Sequence, residues 1–393
     1  MSTKPVTLQI SVGAELISFS VDQTQLTLEE IGRVAVMAPI QYVWPHPSRN
    51  ILYVVSSNRS VSKADDVHSL ATIEVDEHFG SMRVIAQIDL PTRPIHLTVD
   101  PSGCRLFVAY NAPSRVTVHS IFPDGTVADA TTQMTAMTFG HYPHQIRITP
   151  SGKVAILVAR GNDAHGDNPE QPGSLILFSL LGNSLTRIQT VAPGRGYGFG
   201  PRHLDIHPGG RWVAVSIERQ NELHIYELTD DQLSNEPVFK LSTLPGPVRS
   251  PRDQLAGTVH FHQNGKYLYV VNRNDASVYG DHREPSAYEG NNIVAYSFDQ
   301  TSGKPVPIQY VLTESVHVRT FSLDDESSLL VAASILPAFA SREKIIEKVP
   351  AKLSFFRIGT DGKLSLAKVE EMGNQHESMF WSCLNTNKKA ATK

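Results

Sequence analysis

One phrase recurs six times along this chain: a short strand, a tight turn, then an apolar strand. It reads HPSRNILYVV from His46, DPSGCRLFVAY from Asp100, TPSGKVAILVA from Thr149, HPGGRWVAVSI from His207, HQNGKYLYVVN from His262 and DDESSLLVAAS from Asp324. The turn positions Pro47, Pro101, Pro150, Pro208, Gln263 and Asp325 lie 54, 49, 58, 55 and 62 residues apart. A period of about 50 residues built from strands points to a β-propeller. Blades of that kind cannot bury their faces singly, so the 393 residues form one domain, not the two or three that length alone suggests.

Alternating apolar runs follow each turn. They place strands at His203–Ile206, Trp212–Ile217 and Glu222–Leu228 in the fourth repeat, and at Val259–His262, Tyr267–Asn272 and Ile293–Phe298 in the fifth. A weaker fourth strand follows, as at Leu185–Val191; the one helix expected is a short one at Ala340–Lys348. Six repeats leave both ends over. Strands at Val6–Val12, Glu15–Val21 and Leu26–Val34, joined by one at Met379–Cys383, supply a seventh four-stranded blade and close the ring without exposed edges. The expectation is an all-β, seven-bladed propeller over residues 1–384, with 385–393 as a disordered tail.

Composition removes several classes of function. A net charge of −4 and a pI near 6.5 leave no basic footprint for nucleic acid. No apolar run reaches the ~18 residues of a membrane helix, and the first residues lack a charged-then-apolar leader pattern. Two cysteines, Cys104 and Cys383, sit in different repeats and make no disulfide framework. These features predict a soluble cytoplasmic protein that engages neither nucleic acid nor membrane; oligomeric state is not readable.

Superposing the repeats exposes the chemistry. Six residues before the turn stand Gln41, Ile95, His144, Arg202, Gly257 and Arg319; ten residues after it stand Ser57, Asn111, Arg160, Glu218, Arg273 and Ile335. Both positions flank one hairpin and emerge at the same rim, where the long insertions 58–68, 161–173, 274–292 and 336–351 also lie. One imidazole, one carboxylate and four guanidiniums therefore crowd the mouth of the central channel. Arginine forks suit carboxylate or phosphate and stabilise charge developing on a carbonyl oxygen. His144 and Glu218 form an acid/base pair whose pKa values the environment is expected to draw toward neutrality. The alternative is a rim of surface charges pairing among themselves.

The stretches GHYPHQIRITPSG (Gly140–Gly152), GFGPRHLDIHPGGRWVAVSIERQNELHIYEL (Gly198–Leu228), HFHQNGKYLYVVNRND (His260–Asp275) and VRTFSLD (Val318–Asp324) resemble the seven-bladed propeller lactonase family, which includes bacterial 6-phosphogluconolactonases and fungal carboxymuconate cyclases. The resemblance covers nearly the whole chain. It implies His144, Arg202 and Glu218 as catalytic residues and Arg273 as a substrate contact, with no metal or other cofactor. Arg160, Arg319 and His203 join the substrate-binding set. Ile217, where phosphogluconolactonases have Asn, and the long insertions draw the chain toward the cyclase-like members.

Weaker signals have plainer readings. Asp163, His165, Asp167 and Glu170, and separately Asp281, His282 and Glu284, match no complete cation loop. His203, Asp205 and His207 share one strand face and are read as inter-blade hydrogen-bonding groups. Gly194–Pro201 is rich in glycine but precedes a strand, not the helix a phosphate loop needs. His96 and Tyr42 line the channel, His317, His376 and Glu377 approach the mouth, and Trp44, Trp212 and Trp381 pack between blades. The sequence thus predicts hydrolysis of a small anionic lactone, with cyclisation of a carboxymuconate-type acid as the runner-up and a non-catalytic binding platform as the third reading.

Overall fold

The computed structural model describes residues 6–58, 65–76, 80–131, 137–246, 254–274, 286–342, 345–372 and 377–386. Seven four-stranded antiparallel units are arranged as blades. The first runs Ile40–Pro45, Ile51–Ser57, His68–Val75 and Met82–Asp89 from channel to periphery. Blades two to six begin with inner strands Pro94–Val99, Pro143–Ile148, Pro201–Ile206, Gln254–Phe261 and Val318–Leu323. In the seventh, Ser382–Thr386 is innermost and pairs with Val6–Val12, followed outward by Glu15–Val21 and Leu28–Ala35.

The ring therefore closes as expected, with one correction. The closing strand is Ser382–Thr386, not Met379–Cys383, and Asn385 and Thr386, read as tail, pair with Thr7 and Val6. Met379 and Trp381 are apolar because they fill the cores on either side of the closure. Residues 387–393 lie outside the described residues.

Burial falls outward through each blade. Second strands such as Ile51–Ser57 and Val154–Ala159 are buried along their whole length, as strands covered on both faces must be. Outer strands such as Met82–Asp89 and Pro305–Leu312 are half-buried or exposed beyond their first residue. Each blade interface has its own apolar core: Val213, Val215 and Tyr226 meet Val154 and Leu177 between blades three and four, and Trp212 meets Phe261 and Phe298 between four and five. Stability is thus distributed around the ring.

The recurrent turn residue has a structural task. His46 Nδ1 accepts the Ser48 N–H at 3.1 Å while its Nε2 lies 3.2 Å from the Gly103 carbonyl of the next blade's turn. His207 repeats this with Gly209 and Gly265. Gly103 has φ +71°, and a Cβ there would meet the His46 ring at 2.6 Å, so only glycine fits.

The segment expected to be a short helix at Ala340–Lys348 is a β-hairpin instead, Ala338–Arg342 with Ile345–Val349, joined in parallel by Ser286–Ala287. Ala338, Ala340 and Val349 turn onto Tyr288 and Val316, a period of two that a helix cannot satisfy. Among the described residues no helix is long and apolar enough to cross a membrane.

Candidate active site

A one-residue β-bulge interrupts the inner strand of each of blades one to six. Register shifts fall at Gln41, Ile95, His144, Arg202, Gly257–Thr258 and Arg319, the very positions that superposition of the repeats singles out. A bulge sets two residues opposite one and re-aims a side chain. The register on the far side still lets a lower residue such as Gln145, whose Oε1 accepts the Leu204 N–H at 2.6 Å, serve the blade interface.

Glu218 is the hub of the site. It follows Trp212–Ile217, its backbone N–H bonds the Gly200 carbonyl, and its carbonyl accepts the Ala256 N–H of blade five, each at 2.8 Å. Its carboxylate meets three blades at once. Oε1 lies 2.7 Å from Arg202 Nε and accepts from Arg273 Nη2 at 2.6 Å, while Oε2 accepts from Arg160 Nη1 at 3.0 Å. Exposure is 1% for Arg202, 3% for Glu218 and Arg273, 7% for His144 and 8% for His203, which excludes a surface rim of solvated charges.

This cluster leaves donors unanswered. The Arg202–Glu218 approach is an ion pair without an aligned hydrogen bond, and Nε and Nη1 of both Arg202 and Arg273 are buried with no hydrogen-bond partner among the described residues. His144 Nδ1 is in the same state, and its ring lies 5.1 Å from that of His203. Gly257 makes room for the arrangement: a Cβ there would meet Val271 Cγ1 at 2.6 Å and Arg273 Nη1 at 3.1 Å. Arg319 is half-buried over the Phe380 ring at 4.1 Å, and Arg160 lies over Tyr142 at 4.4 Å, contacts that fix guanidinium planes. Four guanidiniums against one carboxylate leave a formal +3.

The electrostatics correct the expected acid/base pair. Burial pushes the Glu218 carboxyl upward, but Arg202, Arg273 and Arg160 outweigh it and hold it well below the usual carboxylate range. Burial, then Arg202, Arg319 and Arg160, hold His144 well below an ordinary imidazole; burial and Arg202 do the same to His203. Neither His144 nor Glu218 moves toward neutrality. Glu218 is a fixed anion and His144 a neutral imidazole. Burial and Arg273 disfavour the charge on Arg202, which a bound anion would relieve.

Residues 6–335 match the family described as lactonase, 7-bladed beta-propeller. The chain belongs to this family. It is thereby an enzyme of the lactonase class, and the platform reading is set aside. Among curated relatives, a 6-phosphogluconolactonase of Bacillus subtilis is 24% identical over 332 residues, covering 81% of this chain and 84% of its own. A solved protein from Lactobacillus plantarum superposes with a TM-score of 0.72 at 18% identity over 97% of this chain and 99% of its own. The periplasmic gluconolactonase of Pseudomonas aeruginosa does so with a TM-score of 0.70 at 17% identity over 94% and 97%. At such identities the structures speak for the fold.

The remaining sequence expectations divide. His317 lies wholly buried, and burial, then Arg273 and Arg319, hold it well below an ordinary imidazole. Asp205 accepts the Phe261 N–H at 2.9 Å and pairs with Arg147 at 3.0 Å, an inter-blade tie as read. Trp44, read as packing, also lies under the Arg147 guanidinium at 5.1 Å in the channel. Uncharged rim positions are structural: Gln41 accepts from Arg93 and Ser57 bonds His68. Among the described residues no three His, Cys, Asp or Glu converge on a metal site. Asp281, His282, Glu284 and His376 lie outside them. Tyr142 and Arg93 escaped the sequence reading because each sits two places before a rim position, and Phe380 because the closing blade carries no copy of the repeat.

Proposed function

We propose that this lactonase-family propeller hydrolyses a lactone carrying an anionic group, using His144, Arg202, Arg273 and Glu218 at the channel mouth. The observation that carries the reading is a cluster of formal charge +3 with unpartnered donors on the buried Arg202 and Arg273 beside a neutral His144. A water attacks the carbonyl carbon while His144, whose basicity rises once the substrate's anion offsets the surrounding guanidiniums, takes its proton. The carbonyl oxygen gains charge against the free Nη1 groups of Arg202 and Arg273. Collapse breaks the ring C–O bond, and the departing alkoxide takes the proton back from His144, giving a hydroxy acid. Glu218 acts through the arginines as a positioning residue, and the half-buried Arg160 and Arg319, with His203, hold the substrate's anionic group.

The cyclisation reading needs an acid to protonate carbon. The ionised Glu218 and neutral imidazoles of His144 and His203 offer none, which favours hydrolysis. Direct sequence support is the 24% identical B. subtilis 6-phosphogluconolactonase. The test is a panel of sugar lactones, a phosphosugar lactone and carboxymuconates, assayed with wild type and His144→Gln. The expected result is ring opening by wild type and at least a ~100-fold loss in kcat for His144→Gln. Ring closure as the product, or full activity in the variant, contradicts the assignment.

A further inference from the structure

A second space adjoins the buried cluster. It is a cleft of about 1020 Å3 on the channel-mouth face, between the insertion 161–173 of blade three and Arg219 of blade four. Arg160 forms part of both sites. Its Nη1 faces Glu218 and its Nη2 donates to Asn162 Oδ1 at 3.2 Å, on the cleft side. The cleft thus touches the buried cluster through Arg160, and a substituent of a lactone held by Arg202 and Arg273 would enter it past that guanidinium.

The cleft wall is built, not merely open. Asn162 and Gln171 exchange backbone hydrogen bonds at 3.1 and 2.8 Å, and Asn162 Nδ2 donates to Gln171 Oε1 at 2.7 Å. His165 and Asn168 close the loop tip at 3.0 and 3.1 Å. Glu170 anchors the loop to the neighbouring blade by accepting the Gly198 N–H at 2.6 Å.

Its charges are already answered. Asp163 pairs with Arg219, and Glu218 pairs with Arg160. Beside these paired charges, the space is faced by Asn168, His165 and the Gln171 Nε2 end that the bond from Asn162 leaves over. Carboxamides both donate and accept, which matches hydroxyl groups and gives no preference for net charge. The volume is at the upper end of the range that takes a whole small ligand.

We propose that this cleft is a subsite for an uncharged, hydroxyl-rich substituent, a glycosyl or polyol group, borne by the lactone whose carbonyl sits at Arg202 and Arg273. The inference rests on the lactonase reading for the place of the carboxyl end. His165 and Asn168 are the specificity-determining residues at the loop tip.

The test uses two acids that share a carboxylate end, gluconate and its galactosylated form lactobionate, titrated calorimetrically into the full chain. Two or three added hydrogen bonds predict lactobionate binding about 10-fold tighter. A His165→Ala/Asn168→Ala double variant, whose replaced side chains make no hydrogen bond or ion pair among the described residues, is expected to bring the two acids within about 3-fold while leaving gluconate affinity unchanged. Equal affinities in wild type, or an advantage the double variant does not touch, overturn the subsite. Arg273→Gln is the separate control on the underlying reading: it should weaken both acids alike. Failure of both acids to bind wild type would remove both proposals together.

Discussion

Replacing Glu218 with Gln keeps the shape of the hub and removes its charge. Three guanidiniums then face a neutral carboxamide, and the formal charge of the five-residue set rises from +3 to +4. In wild type the carboxylate approaches Arg273 at 2.6 Å, Arg202 at 2.7 Å and Arg160 at 3.0 Å. Arg202 and Arg273 side chains are only 2% and 4% exposed, so water does not take over as their counter-charge. Removing one partner of a buried pair costs about 3–5 kcal/mol. The 19% exposed Arg160 side chain relaxes toward solvent and adds little, so the expected loss stays in that range instead of tripling. Urea denaturation at pH 7.5 and low salt measures it. A second arm repeats the measurement with inorganic phosphate. An anion bound only by the folded protein stabilises by about 2.7 kcal/mol at 100 times its Kd, and the more positive variant should recover more than wild type gains. A loss below about 1 kcal/mol, or equal phosphate effects in the two proteins, would refute the hub.

Three further outcomes follow from the same geometry. Gly257→Ala should lower kcat/KM at least ~10-fold and cost about 1–3 kcal/mol, because the new methyl presses on Val271 and Arg273; steady-state kinetics with urea denaturation reads both. His96, His144, His203 and His317 are held neutral when folded, so below the unfolded value of about 6.5 the unfolded chain binds more protons. Stability should be fully present above that pH and fall on acidification by up to about 1.4 kcal/mol per pH unit for each group, as followed by denaturation from pH 7 to 5. Ending the chain at Trp381 removes Ser382–Thr386 and bares Val6–Val12; the product should aggregate or lose cooperative unfolding in a calorimetric scan.

The propeller was legible because each turn restarts the same count: the residue six before it and the residue ten after it fall at one depth in every blade. That count brought His144, Arg202 and Glu218 to one rim without knowledge of contacts. It did not reveal the bulges, since Gln41, Ile95 and Arg319 share no residue-type signature that marks an irregular strand. Nor could it sign the pKa shifts. Proximity of Glu218 to arginines is readable in sequence, but whether burial or three ion pairs wins depends on depth and on how many forks reach one carboxylate. Gly257 looked like a blank in the rim pattern; its reason is the volume of Arg273, a residue on the neighbouring strand. The hairpin at Ala338–Val349 was misread because its alternation becomes visible only once Tyr288 and Val316 are known to lie beneath it. His46 and His207, by contrast, carried a repeated signal whose meaning was structural.

The central claim is that the guanidiniums of the channel mouth read an anionic lactone. Its most direct measurement is kcat/KM for 6-phosphogluconolactone against glucono-δ-lactone, by proton release below pH 7, with wild type and Arg319→Gln. The account predicts a preference of at least ~100-fold for the anionic lactone, equivalent to about 2.7 kcal/mol of charge-assisted hydrogen bonding. It predicts that this preference shrinks at least ~10-fold in the variant. Equal turnover of the two lactones by wild type, or a preference that survives Arg319→Gln intact, would contradict it.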